Sequence, residues 1–81
     1  MNSRIRRISV LVDEPEQGLF FWVLMEEGGE APLWLEIESA AQGYDTWLDA
    51  LQAGTRALIE YAFDERIGPR KLGGDEDAAP V

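Results

Sequence analysis

The chain has no cysteine, no histidine and one lysine among its 81 residues. Without Cys there is no disulfide framework, no thiolate zinc site and no thiol nucleophile. Without His there is no Ser-His-Asp triad, no imidazole base and no ordinary transition-metal site. An all-carboxylate site for a hard cation is the one metal chemistry that composition leaves open. Long apolar runs are missing too, and none approaches the roughly 20 residues that a membrane helix needs. Met1-Asn2-Ser3-Arg4 leads into alternating residues rather than into the apolar stretch of a signal peptide. A cytoplasmic protein with no membrane segment is the expectation. Six Arg against one Lys, with much Ala and Gly, point to a GC-rich bacterial genome.

Positive charge is the other scarcity. Seven basic side chains face 16 acidic ones, a net charge of −9. Residues 72–81, LGGDEDAAPV, carry three acids and no base and have almost nothing to bury, so they read as a disordered acidic tail. The remaining residues 1–71 hold 13 acids against seven bases, so the excess belongs to the folded part as well. A surface of that sign disfavours nucleic acid and favours a basic protein partner. The length allows one domain, residues 1–71.

Within it, residues 4–13 alternate Ile8, Val10 and Val12 with Arg7, Ser9 and Leu11, the period of a strand. Residues 13–18 carry Pro15 and Gly18 and read as a turn. Residues 19–25, LFFWVLM, are a short apolar run rich in aromatic and branched side chains, a second strand. After the turn at residues 26–30, residues 32–38 alternate again. Leu33, Leu35 and Ile37 face one way, and Trp34, Glu36 and Glu38 the other. Asp45 or Thr46 caps a helix in which Trp47, Leu51, Gly54, Leu58 and Tyr61 share one face. Gly54 costs about 1 kcal/mol relative to Ala inside a helix, which points to close approach of helix and sheet. The helix is expected to end between Phe63 and Arg66. Fold class is therefore α+β, a three-stranded antiparallel meander with one C-terminal helix on one face.

Strand 2 is apolar on both sides. Phe20, Trp22 and Leu24 form one row, and Leu19, Phe21, Val23 and Met25 the other. One helix covers one face, so the other face should expose large side chains, with Trp34 beside them when the Leu33 row meets the helix. Three coverings are open: the C-terminal segment through Ile67 and Leu72, a second copy of the chain, or a different partner. Phe20, Trp22 and Trp34 are the candidate interaction residues.

Candidate chemistry is sparse. Glu36 and Glu38 could approach Glu26 or Glu27, but no EF-hand spacing, base or nucleophile accompanies them, and a solvated edge that discourages strand pairing accounts for them. Arg4, Arg6 and Arg7 are the only basic cluster and are expected to pair with acids of a neighbouring strand or of a partner. Gly28-Gly29 is a hairpin turn rather than a phosphate loop. Catalytic, cofactor and metal sites are not expected.

Residues 45–58, DTWLDALQAGTRAL, resemble the helix of HicB-type antitoxins at Asp45, Thr46, Asp49, Ala50, Leu51, Ala57 and Leu58. The Pro-Gly segment before that helix and a C-terminal DNA-binding element are missing. Gly18, Phe20, Trp22 and Leu24 are similar to the second strand of YegP-like domains, with Ser39, Tyr44 and Thr46 following at longer spacing. Both resemblances imply a small bacterial β-β-β-α domain. The expected function is a non-enzymatic protein-interaction module, a homodimer joined through the open sheet face or an edge strand. The alternative that the first resemblance implies is an antitoxin-like regulator that binds a small basic protein.

Overall fold

Strands β1 (Ile8–Glu16), β2 (Leu19–Glu27) and β3 (Trp34–Ser39) precede helix α1 (Trp47–Ile59) in a computed structural model of the chain. The structure describes residues 4–29, 33–62 and 64–70. The sheet is antiparallel throughout in the order β1-β2-β3, so the fold is α+β, β-β-β-α as the sequence predicts. The expected tail at residues 72–81, with Leu72, lies outside the described residues.

β1 begins later than its alternation predicts and runs through the segment expected to turn. The register shifts between Asp13 and Glu16, so Pro15 sits at an irregularity of an edge strand, where a missing N–H is tolerated. The turn is thereby narrowed to Gln17-Gly18. Gly18 adopts φ +83°, a left-handed conformation that glycine reaches without strain, and its N–H donates to the Glu14 carboxylate at 2.7 Å.

Val10 stands opposite Leu24 and Val12 opposite Trp22, which puts the Trp22-Leu24 row and the β1 valines on one face. Helix α1 lies on that face, against β1 and β2. Gly54 lets it come close. A Cβ there would stand 2.6 Å from the Trp22 Cβ and 2.7 Å from the Val10 Cγ2. Trp22, Val23, Leu24 and Ala50 form the apolar core, with Leu24 fully buried. The Thr46 hydroxyl caps the helix, accepting from the Asp49 N–H at 3.0 Å.

The helix stops at Ile59, earlier than expected. Tighter turns follow, with the Tyr61 N–H bonded to the Leu58 carbonyl and the Ala62 N–H to that of Ile59. The chain then reverses at Asp64, whose carbonyl accepts from Ile67 and Gly68. Pro69 and Arg70 reach the lead-in to β1, where the Arg6 N–H donates to the Pro69 carbonyl at 2.8 Å. The described part of the C-terminal segment therefore lies along the β1 edge, not across the open face.

Candidate interaction surface

The helix side of the sheet takes the residues that were expected on the open face. Trp22 is only 8% exposed beneath Gly54, and Phe20, two residues earlier, shares its row and bridges to Tyr44. The expectation that these two lie on the open face is corrected. The helix selects their row because Gly54 leaves room over Trp22. The opposite row is only half exposed at Leu19, Phe21 and Met25, and Val23 is buried. The loop at Gly43 closes over Leu19 and Phe21. Of the three candidate residues, Trp34 is the one left accessible, at 37%.

Trp34 opens β3, opposite Glu27. Its neighbours Leu33 and Leu35 are 52% and 51% exposed. Three consecutive large apolar side chains therefore stand at the start of an edge strand. For Leu33 and Leu35, on the helix side of the sheet, exposure follows from geometry. A helix about 10 Å wide spans two strands spaced about 4.8 Å apart, so a third strand falls outside its cover. The outer side of β3 bonds to no other strand among the described residues. The β1 edge differs, being occupied by Pro69 and Arg70 at its start and interrupted at Pro15 near its end.

A cleft of about 420 Å³ lies at the same end of the sheet. Ile5, Ile8, Trp34, Leu58 and Pro69 give it apolar walls, and Arg6 and Arg7 contribute its polar part. Both arginines pair with acids at the end of β2, as expected for the basic cluster. Arg6 makes a two-pronged contact with Glu26 at 2.7 and 3.0 Å, and Arg7 meets Glu27 at 3.2 Å. Arg6 also stands 5.2 Å from the centre of the Tyr61 ring, whose hydroxyl donates to Glu38 at 2.8 Å. The chain Glu26–Arg6–Tyr61–Glu38 thus ties the segment after the helix to β2 and β3. Hydrogen bonding to Glu26 raises the Arg6 pKa above its ordinary value. Hydrogen bonding to Glu38, with some burial, raises the Tyr61 phenol. Paired to Arg66, the Asp64 carboxyl is lowered.

Glu36 and Glu38 do not gather with Glu26 and Glu27. Glu36 stands opposite Met25 and Glu38 opposite Leu24, while Glu26 faces Leu35 and Glu27 faces Trp34. A register shift between Leu24 and Met25 leaves Ile37 without a cross-strand partner between the two acids. No group of three or more acidic side chains stands close enough to hold a metal ion among the described residues. Nor is any helix among them long and apolar enough to cross a membrane.

Sequence reasoning did not single out Leu33 and Leu35 as accessible; the register puts Leu35 opposite Glu26, on the helix side of the sheet but beyond the helix's cover. The Tyr61–Glu38 contact was missed as well. The width argument above was the available signal for the first. The second had none, because it depends on where the helix stops. Comparison of the chain with family models, with curated proteins and with solved structures finds no match.

Proposed function

We propose that this chain is a non-enzymatic protein-interaction module that docks a partner along the free edge of β3. The observation that carries the reading is the exposure of Leu33, Trp34 and Leu35 on a strand whose outer side bonds to no other strand among the described residues. Such an edge offers a row of backbone donors and acceptors to a further strand, and flanking apolar side chains add burial. Either a second copy or a different protein fits this mode.

The test replaces Trp34 with Asp in the full chain. Sedimentation velocity at tens of micromolar reads self-association, and cross-linking in the native host reads other partners. Trp34→Asp should abolish whichever association the parent shows, while circular dichroism shows the fold retained. Association retained in full by the variant would sink the reading.

A further inference from the structure

We infer that the occupant of the β3 edge is a basic extended segment of another protein, carrying Lys or Arg on both of its faces. The inference rests on β3 being the docking edge and adds what docks there. Backbone direction supplies the first argument. The Leu33 carbonyl faces β2, accepting from the Gly28 N–H at 2.6 Å, and the Ala40 N–H faces β2 as well, donating to the Trp22 carbonyl at 2.9 Å. Peptide groups alternate in direction along an antiparallel strand, so those of Trp34 and Ser39 point outward, towards an added strand.

Charge supplies the second. Glu36 and Glu38 are both exposed on this edge strand. Arg6 is committed to Glu26 and Arg7 to Glu27, and among the described residues the donor that reaches Glu38 is the neutral Tyr61 hydroxyl. Two copies of β3 paired antiparallel would bring two such pairs of acids together, and like charges across a ladder destabilise it. A strand carrying cations reverses the sign of that term. The whole molecule, at −9, draws such a partner in.

The experiment uses the full chain, isotopically labelled, and a short fluorescent peptide of lysine and valine. A second peptide of the same sequence carries N-methyl groups on alternate amides, which keeps the charge and blocks strand pairing. The first peptide should bind, shifting the amide resonances of Trp34, Glu36 and Ser39. Replacing both Glu36 and Glu38 with Gln, which still accepts from Tyr61, should weaken binding about tenfold. Added salt should weaken it in the parent as well, a readout that needs no variant. N-methylation should cost at least as much as the double substitution. Equal binding of the N-methylated peptide would mean charge attraction alone and would overturn the basic strand. A dimer through β3 that the peptide does not displace would make a second copy the occupant. That result overturns this inference and leaves the docking-edge reading standing. If neither a peptide nor a second copy perturbs β3, both readings fall.

Discussion

At the scale of single residues, Gly54 is the point on which the helix and sheet meet. Ala is favoured over Gly by about 1 kcal/mol within a helix. At this position the added Cβ would meet the Trp22 Cβ and the Val10 Cγ2 at 2.6 and 2.7 Å. The Trp22 atom is fixed to the backbone of the central strand and cannot swing away. Overpacking of a tight core costs about 1–3 kcal/mol. Gly54→Ala should therefore lower stability by about 1 kcal/mol net despite its better propensity, read as a lower urea midpoint at unchanged slope. The sequence showed that a glycine there needed a reason, and the structure supplies the atoms.

Tyr61 gives a residue-scale prediction with a pH signature. Its phenol is held above the ordinary value of 10.0, first by hydrogen bonding to Glu38. The unfolded chain then loses the phenolic proton before the folded chain does. Stabilisation is whole below the unfolded value and fades as pH rises towards the folded one. Tyr61→Phe keeps a ring beside Arg6 and removes the hydroxyl. It should cost about 0.5 kcal/mol near neutral pH, the low end for an exposed bond. In the same comparison, the gap between parent and variant should shrink as pH is taken above about 10. A gap that stays constant across that range would mean that the Glu38 contact does not persist in solution.

Between elements, the question is what one helix can cover. Element order, the Thr46 cap and the two-sided apolar pattern of β2 were legible because each depends on local sequence. Pairing of Arg6 and Arg7 with strand acids was legible in kind. Their partners Glu26 and Glu27 follow once the turn is fixed at Gln17-Gly18 and the strands are paired outward from it. Which row of β2 met the helix was not legible, since Phe20-Trp22-Leu24 and Leu19-Phe21-Val23-Met25 are equally apolar. That choice was made by Gly54, some thirty residues away, and it moved Trp22 from candidate surface to core. The candidate site shifted with it from a sheet face to the β3 edge, where Trp34 alone of the expected residues remains.

The exposure of Leu35 turns this account of cover into a prediction. A side chain half out of water on an edge strand contributes little to folding. Leu35→Thr keeps strand propensity and should change stability by no more than about 0.5 kcal/mol. Leu24→Ala, at the one fully buried large side chain among the described residues, should cost about 2–5 kcal/mol. Thermal or urea unfolding of the two variants side by side measures the contrast. Comparable losses would mean that β3 is covered by more than the helix.

For the whole molecule, the quantity that matters is the scarcity of positive charge. Among the described residues, the three ion pairs use Arg6, Arg7 and Arg66, each against an acid of its own fold. These pairs are local, and surface pairs of this kind add little to stability. Their larger effect is on the field outside. With Arg6 and Arg7 spent on Glu26 and Glu27, the molecule presents Glu36 and Glu38 on an otherwise apolar edge with no ion-pair partner among the described residues. Attraction of that kind acts over a Debye length, about 10 Å at 0.1 M salt, and shortens as salt is added. It governs how fast a partner arrives more than how long it stays. Capture of a basic strand at β3 should therefore slow by about tenfold or more between low and molar salt, with a much smaller change in the release rate. Stopped-flow fluorescence of the labelled lysine–valine peptide separates the two rates. A salt effect falling mainly on release would place the acids inside the contact as buried partners rather than around it as a guiding field.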